Sequence, residues 1–363
     1  MYKYNEITNI HFELSSNCQA SCPMCARNYH GGIENPLVKV SDIDFELFKK
    51  IIPTDIIKQM YNVTLCGNLG DPLLNKDLIP IVEYMAEVNP SIKIDIHTNG
   101  SLRNTAWWKE LSKALTSSSV VQFGIDGLAG THELYRVGTD FNKIIENAQA
   151  FIQAGGRAQW NFITFKHNEH QIEDARKLAY ELGFESFQEK QTSRFIGNPY
   201  FEVYDKSGNV THKLEQPSEQ KLIFIDRKTV ESYKEVFKTA RVECEVEKTK
   251  SIYIDAQGYV WPCCFVGAVP YIHTKPEQLV YEFQNDSYNT FVETMNKFGG
   301  VSQFNLRNRT IQEIVDSIEW QTVWDQTFKD NSLRVCTRTC GKFDKPVISQ
   351  CRDQFIELEK FDE

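Results

Sequence analysis

Apolar residues recur along the first half of the chain in two alternating periods, which predict short strands and longer helices in turn. The predicted strands lie at residues 10–14, 63–65, 92–96, 120–125, 160–165 and 184–187. The predicted helices lie at residues 45–52, 78–88, 107–115, 141–154 and 171–182. We expect Ser41 to cap the first helix, with Asp44 three residues on in an approximate capping box, and Gly183 to end the last helix.

Strands that alternate with helices predict a parallel sheet of the α/β class. Six such units occur in about 190 residues, whereas a closed barrel of this kind has eight. The sequence therefore predicts a partial (β/α)6 barrel. Parallel α/β folds place their reactive residues at the carboxyl ends of the strands. The loops that follow the first four strands are the candidate site.

The alternation stops near Asn198, and a different organisation begins. Residues 200–210 predict a β-hairpin with a Gly/Asn turn, and residues 251–261 predict a second hairpin that turns at Gln257 and Gly258. A helix is predicted at residues 311–328. We expect two domains, a barrel at residues 1–195 and a smaller α+β domain at residues 196–363.

Composition narrows the class of protein. The chain has 363 residues and a formal net charge of −9, which gives no general reason to bind duplex nucleic acid. No apolar run reaches the roughly 18 residues of a membrane span, and the N-terminus lacks the apolar core of a signal peptide. We therefore expect a cytoplasmic protein with no membrane partner. In that compartment its ten cysteines are expected to be metal ligands, redox groups or core residues rather than disulfides.

Three of the cysteines follow the first predicted strand. Cys18, Cys22 and Cys25 can hold three corners of a four-iron cluster and leave one iron open to a small ligand. Zinc is the main alternative, although structural zinc usually takes four ligands in paired Cys-x2-Cys units. Three unligated cysteines on a loop are the other alternative.

The cysteine triplet resembles the cluster-binding signature of radical S-adenosylmethionine (SAM) enzymes, and the likeness extends over roughly residues 8–190. Residues 67–74 resemble the Gly-Gly-Glu-Pro region of that family, with Asp71 in place of Glu; this region binds the SAM amino group, and a carboxylate suits an ammonium. Residues 98–100 resemble its Thr-Asn-Gly, and residues 124–127 its Ser-Ile-Asp-Gly, with Gly124 where serine is common. The resemblance implies that SAM is bound by Met24, Gly67, Gly70, Asp71, Asn99, Gly124, Asp126 and Arg136.

The last third of the chain contains six cysteines. The sequence around the second predicted hairpin resembles the SPASM and twitch domains, which follow many radical SAM cores and hold auxiliary clusters. A full SPASM domain holds two clusters and needs more than six cysteines, so the one-cluster twitch arrangement is expected. The resemblance implies a second [4Fe-4S] cluster held by Cys244, Cys263, Cys336 and Cys340. Cys264 and Cys351 are the spare cysteines, Cys351 being a substitute ligand, and a four-thiolate zinc site is the alternative.

Three further residues lie near the predicted site. Cys66 is interpreted as a small core residue. Lys190 and Arg194 follow the sixth strand, where they would contact SAM or an anionic substrate, or else be solvated surface charges.

The resemblance implies that one electron from the first cluster cleaves SAM to a 5′-deoxyadenosyl radical, which takes a hydrogen atom from a substrate carbon. We expect net oxidation or oxidative cross-linking of a small molecule or peptide, with the second cluster accepting an electron. A flavodoxin or ferredoxin is the expected electron donor. The alternatives are an epimerase or isomerase and a non-catalytic iron–sulfur electron-transfer protein.

Overall fold

The fold was analysed in a computed structural model. It describes residues 1–192, 194–195, 198–219, 241–271, 279–297, 299–329, 333–342 and 355–361. Among these residues, no helix has both the length and the apolar character to cross a bilayer. Cys351 lies outside the described residues.

Strands and helices alternate through the first half of the chain. The strands are β1 (Asn9–Phe12), β2 (Asn28–Tyr29), β3 (Ile33–Glu34), β4 (Asn62–Leu65), β5 (Lys93–Thr98), β6 (Val120–Gly124), β7 (Ala158–Ile163), β8 (Ser186–Lys190), β9 (Tyr200–Tyr204), β10 (Val210–Glu215), β11 (Arg241–Val242), β12 (Ser251–Ile254), β13 (Val260–Trp261), β14 (Gly341–Lys342) and β15 (Phe355–Lys360).

Most of the helices lie between the strands of the first half. The helices are α1 (Phe45–Ile51), α2 (Thr54–Gln59), α3 (Leu78–Val88), α4 (Thr105–Ala114), α5 (His132–Tyr135), α6 (Phe141–Gln153), α7 (Ile172–Leu182), α8 (Glu245–Thr249), α9 (Cys264–Ala268), α10 (Leu279–Asn296), α11 (Ile311–Val315), α12 (Ile318–Lys329) and α13 (Arg334–Cys340).

One nine-stranded sheet forms the centre of the molecule, in the order β13-β12-β1-β4-β5-β6-β7-β8-β15. Six of these strands, β1, β4, β5, β6, β7 and β8, follow chain order across the sheet and pair in parallel. This arrangement confirms the predicted α/β partial barrel. The predicted hairpins are confirmed too, since β9 pairs antiparallel with β10 and β12 with β13.

Both edges of the sheet are extended by strands from the second half of the chain. β12 pairs in parallel with β1, and Phe12 lies opposite Ile254. β15 pairs antiparallel with β8 at the other edge. The sheet therefore crosses the predicted boundary between residues 195 and 196, and the division into two domains stays a prediction.

The outer face of the sheet is buried by aromatic side chains. The Trp108 ring of α4 lies 5.1 Å from the Phe123 ring of β6 and 5.8 Å from the Phe151 ring of α6. Trp160 of β7 contacts Phe184, with ring centroids 5.4 Å apart. Large buried rings of this kind contribute most of the apolar area that stabilises a core.

Two local predictions were wrong. Asp44, rather than Ser41, caps α1, because its carboxylate accepts a hydrogen bond from Leu47 N at 2.8 Å. Ser41 instead donates to the carbonyl of Ala256. The helix predicted at residues 311–328 is divided into α11 and α12, because α11 ends at Val315, with Asp316 as its C-cap.

Candidate functional site

The first three cysteines lie on the loop that leaves β1 at the carboxyl edge of the sheet. Cys22 is buried, whereas Cys18 and Cys25 are partly exposed. Cys25 N donates to Cys22 O at 3.0 Å, so that the loop turns between these two residues. Burial raises the pKa of the Cys18 thiol, and Asp71, Cys22 and Cys25 raise it further. The Cys18 thiol is thus within electrostatic reach of Cys22 and Cys25, and the role of the three as cluster ligands stays a prediction.

The Arg136 guanidinium is a positive charge that acts on the buried Cys22 thiol. Burial raises the pKa of Cys22 to about 11, while the charge of the Arg136 guanidinium acts in the opposite direction. Arg136 Nε also donates to Asp126 Oδ2 at 2.5 Å. Asp126 is fully buried, and its other oxygen accepts from Ile163 N at 2.6 Å. The carboxylate of Asp126 thus fixes the guanidinium beside the cysteine loop.

Asp71 connects two loops of the predicted SAM site. Its carboxylate accepts hydrogen bonds from Thr98 Oγ1 at 2.9 Å and from Asn99 N at 2.9 Å. Asn99 Nδ2 donates to Asp71 Oδ2 at 2.6 Å and lies 3.9 Å from Cys18 Sγ. Burial raises the pKa of Asp71, and these donors oppose that effect. Asp71 and Asn99 are therefore brought together beside the first cysteine, and this carboxylate fixes the loops through bonds within the chain.

Close backbone packing explains the two glycines, Gly67 and Gly70, of the loop that precedes Asp71. A Cβ on Gly70 would lie 1.9 Å from Ser15 O, and a Cβ on Gly67 would lie 2.2 Å from Gly70 O. A side chain at Gly70 would collide with the backbone of the segment that leads to Cys18, whereas a side chain at Gly67 would collide with Gly70 in the same loop. Gly70 thus lets this loop lie directly against the cysteine segment, and Gly67 lets the loop fold closely on itself.

Glu13 is a functional candidate that the sequence analysis missed. Its carboxylate accepts hydrogen bonds from Leu69 N at 2.8 Å, Gly70 N at 3.0 Å and Tyr253 OH at 2.7 Å. Burial raises its pKa to about 7, although these donors oppose that effect. Glu13 therefore joins the predicted SAM loop to β12, which lies 240 residues further along the chain. The sequence did contain a signal for this residue, because a charged side chain at the end of an apolar strand is a candidate site residue.

Met24 belongs to a small apolar cluster beside the cysteine loop. It is buried together with Tyr135, Phe165, Phe195 and Val203. Arg194 Nη1 donates to Met24 O at 3.0 Å, which ties the segment after β8 to the loop. Met24, one residue before Cys25, thus lies in apolar surroundings, and its contact with SAM stays a prediction.

The inner face of the partial barrel carries polar side chains, whereas the outer face carries aromatic rings. Cys66, His97 and Lys190 are only partly buried, and none of them belongs to the apolar core. Burial lowers the pKa of Lys190 to about 8, with Asp126 and Cys66 acting in the opposite direction. The interpretation of Cys66 as a core residue was wrong, because the thiol lies on this polar face, where burial raises its pKa to about 12.

Four cysteines of the second group line one cavity, although they come from three separate segments. Cys244 precedes α8, Cys263 precedes α9, and Cys336 and Cys340 lie one turn apart on α13. Glu243 N donates to Cys340 O at 3.0 Å, and β11 pairs with β14 beside it. The rest of the lining consists of Val242, Pro262, Phe265, Val266, Phe328, Val335 and Thr339.

The chemistry of this cavity fits an iron–sulfur cluster. Burial raises the pKa of Cys263 to about 11 and that of Cys336 further, and the neighbouring thiols raise both in addition. Thiolates in such a place need iron or another metal to neutralise them. Within the described part of the chain, no three potential ligands lie close enough to share a single metal ion. Cys264 does not line the cavity, and Cys66 is among the groups that raise its pKa.

Comparisons with known proteins agree with this geometry. Residues 12–179 match the model of the radical SAM superfamily, and residues 244–352 match the model of the SPASM iron–sulfur cluster-binding domain. No curated protein matches the chain by sequence.

Many solved structures are similar in fold, and two of them serve as examples. Streptococcus suis SuiB bound to S-adenosylmethionine is 16% identical with a TM-score of 0.50, over 78% of this chain and 65% of that chain. The alignment thus spans about 65% of the length of SuiB. A histidine-tagged form of anSMEcpe with bound AdoMet is 14% identical with a TM-score of 0.51, over 92% of this chain and 88% of that chain.

Proposed function

Because this chain is a radical SAM enzyme with a C-terminal SPASM domain, we propose that it oxidises or oxidatively cross-links its substrate. When bound, SAM and the reduced four-iron cluster supply a 5′-deoxyadenosyl radical that removes a hydrogen atom from carbon. The substrate then loses one proton and one further electron, and that electron is passed to the C-terminal site.

The closed thiol cavity of the SPASM domain carries this proposal. Cys244, Cys263, Cys336 and Cys340 provide four ligands, the number that a four-iron cluster needs when every iron is held by protein. A site with no open position transfers electrons and cannot bind substrate through the metal. The three cysteines of the first loop leave one position open, as the binding of SAM requires.

Residues of the cysteine loop and of the loops that follow β4 and β5 would have different roles at the SAM site. Cys18, Cys22 and Cys25 would hold the cluster. Asp71 orients Asn99 through two hydrogen bonds and keeps the loop rigid. The predicted SAM contacts of Met24, Gly67, Gly70, Asp71, Asn99, Gly124, Asp126 and Arg136 remain part of the proposal.

The polar inner face of the barrel supports a polar substrate. Cys66, His97 and Lys190 are partly exposed there, and an apolar ligand would remove water from these groups without replacing its hydrogen bonds. A small molecule with hydroxyl or amino groups, or a polar peptide segment, suits this lining. A flavodoxin or ferredoxin as electron donor and a cytoplasmic location complete the proposal.

A second function, epimerisation or isomerisation, is favoured by one observation. The Cys66 thiol faces the interior of the barrel, and its raised pKa keeps it protonated. A protonated thiol can give its hydrogen atom to a carbon radical, so that the substrate undergoes no net oxidation. The thiyl radical that remains at Cys66 then takes one electron from the flavodoxin or ferredoxin and one proton from solvent.

Product analysis separates these two functions. The reconstituted enzyme is reduced in deuterium oxide with SAM and candidate polar alcohols or peptides. The molar ratio of 5′-deoxyadenosine to product is then measured. Oxidation predicts one 5′-deoxyadenosine for each product, a loss of two hydrogen atoms and no deuterium on carbon. A product of unchanged composition that carries one deuterium on carbon would instead establish epimerisation.

A further inference from the structure

A closed ring of hydrogen bonds joins the end of β6 to the segment that follows α5. Asp126 N donates to His132 Nδ1 at 3.1 Å, and His132 Nε2 lies 3.0 Å from Thr139 Oγ1. Thr139 Oγ1 donates to the carbonyl of Arg136 at 2.6 Å. The Arg136 side chain closes the hydrogen-bond ring, because its Nε donates to Asp126 Oδ2 at 2.5 Å. His132 and Thr139 therefore connect the backbones of the two residues that form the ion pair.

The hydrogen-bond ring fixes the tautomer of His132. Its Nδ1 accepts from a backbone N–H and therefore carries no proton. The Thr139 hydroxyl gives its one hydrogen to a carbonyl, so it accepts from His132 Nε2–H. Both ends of the imidazole thus require the same neutral form. Burial lowers the pKa of His132 to about 3, and the charge of Arg136 acts in the same direction, so this form persists at neutral pH.

The segment that follows α5 also lies against the cysteine loop. Ser21 N of that loop donates to Val137 O at 2.7 Å. A Cβ on Gly138 would lie 3.1 Å from Gln19 O, so the two backbones pack closely. The hydrogen-bond ring therefore fixes both the Arg136 side chain and the backbone against which the cysteine loop packs.

Arg136 has little room for any other position. A Cβ at Gly124 would lie 2.5 Å from Arg136 Nη2 and 3.0 Å from its Cζ, so the guanidinium occupies the space that a side chain on β6 would fill. The guanidinium carbon also lies 5.4 Å from the centre of the Tyr135 ring. A shift of the backbone at Arg136 would therefore move the guanidinium out of a closely fitting place.

We propose that His132 and Thr139 are positioning residues of the SAM site, which hold Asp126 and Arg136 in the places where they contact SAM. The inference rests on the proposed function, because it requires that the ion pair contacts SAM. His132 does not need to touch SAM, since it is fully buried and both of its ring nitrogens are used within the hydrogen-bond ring. Polar groups that are held in place before a ligand arrives bind it with a smaller loss of conformational freedom.

The test removes the Thr139 hydroxyl, because valine matches threonine in shape but has no hydroxyl. Thr139→Val leaves the Nε2–H of His132 without its acceptor, and the other tautomer would direct an Nδ1–H at Asp126 N. Thr139→Ser retains the hydroxyl. Thr116→Val is the matched control: Thr116 is also partly buried and its hydroxyl also donates to a carbonyl at 2.6 Å, but that carbonyl belongs to Ile92 at the amino end of β5.

The anaerobically reconstituted full chain is titrated with SAM by calorimetry, and 5′-deoxyadenosine formation is measured over a range of SAM concentrations. For Thr139→Val we expect the dissociation constant and the KM for SAM to rise about tenfold, because a buried donor is left unsatisfied. The rate at saturating SAM should fall much less, since binding rather than the chemical step is weakened. Thr139→Ser should recover most of the affinity. Thr116→Val should lower the melting temperature about as much as Thr139→Val does and bind SAM as wild type does.

An unchanged affinity for SAM in Thr139→Val would overturn the proposal, as would an equal loss of affinity in Thr116→Val. If Thr139→Val fails to fold or to retain iron, His132→Asn decides by the same criterion, because its amide can accept from Asp126 N but is too short to reach Thr139. Loss of iron from both variants would assign the hydrogen-bond ring to support of the cysteine loop and would also overturn the proposal. A wild-type chain that binds no iron or no SAM would contradict the proposed function instead, and the wild-type measurements detect that outcome separately.

Discussion

The two cysteine sites differ in what surrounds their thiols. Beside the first site lie a carboxylate, an amide and a guanidinium, contributed by Asp71, Asn99 and Arg136. The second site is enclosed by aliphatic and aromatic side chains, and Thr339 is the one polar residue apart from the cysteines in its lining. Polar groups with fixed positions suit a site that binds and orients a cofactor, whereas a dry enclosure suits electron storage. Both sites offer cysteine thiolates as metal ligands, and they differ in the polarity of the residues around those thiolates.

The largest effects on iron content and on activity are expected when each set of cysteine thiols is removed separately. Cys18/Cys22/Cys25→Ala should abolish 5′-deoxyadenosine formation and leave about four irons of the wild-type total of about eight. Cys244/Cys263→Ala should also leave about four irons but retain cleavage of SAM, and it should lose substrate oxidation. Iron and sulfide analysis with chromatographic assay of 5′-deoxyadenosine checks both. Cleavage of SAM by the first variant would contradict the division of roles.

Asp71→Asn should weaken SAM binding and leave the second site intact. The amide replaces one acceptor oxygen with a donor that faces Thr98 and Asn99, so at least one buried hydrogen bond is lost, at a cost of about 1–3 kcal/mol. We expect the dissociation constant of SAM to rise about tenfold, measured by calorimetry on the reconstituted protein. Asp174→Asn, on the exposed face of α7, is the control. An unchanged affinity would show that the loops are fixed by other contacts.

Glu13→Gln should change the pH dependence of stability. Burial raises the pKa of Glu13 from 4.5 to about 7, so the folded state binds the proton more tightly than the unfolded chain. This group therefore makes the free energy of unfolding fall as pH rises from about 4.5 to about 7. A glutamine can still accept from Leu69 N and Gly70 N through its oxygen, and its amide can donate to Tyr253.

Thermal unfolding between those two pH values checks this expectation. The slope of melting temperature against pH should be flatter in Glu13→Gln than in wild type. Glu110→Gln, at an exposed position on α4, serves as the control and should leave the slope unchanged. Parallel curves for wild type and Glu13→Gln would show that Glu13 is ionised throughout this range.

The smallest effect is expected for Cys264→Ser. Its side chain does not line the thiol cavity, and its carbonyl accepts from Asn68 Nδ2 at 2.7 Å, a bond that serine retains. Iron content should therefore equal that of wild type, and Cys263→Ser provides the comparison that should lose the second cluster. A loss of about four irons from Cys264→Ser would mean that Cys264 is a ligand.

The sequence determined the features that depend on neighbours in the chain. Its alternating periods located the six strands of the barrel, and the spacing of Cys18, Cys22 and Cys25 indicated an open cluster, because both follow from backbone geometry over a few residues. The segments with cysteines in the second half were recognised by their resemblance to SPASM and twitch domains. Errors occurred where a tertiary contact competes with a local one, as at Ser41, whose hydroxyl reaches Ala256 instead of the start of α1.

Only the tertiary structure decided which side chains meet. Glu13 and Tyr253 are 240 residues apart, and their hydrogen bond exists because β12 pairs with β1 at the edge of the sheet. The position of Arg136 depends in the same way on the empty space at Gly124 and on the buried carboxylate of Asp126. The periodicity of apolar residues predicts helices and strands because these elements depend on residues that are close together in the sequence. Charge, burial and close packing are properties of the assembled sheet, so the partners of a buried group are fixed only when distant strands come together.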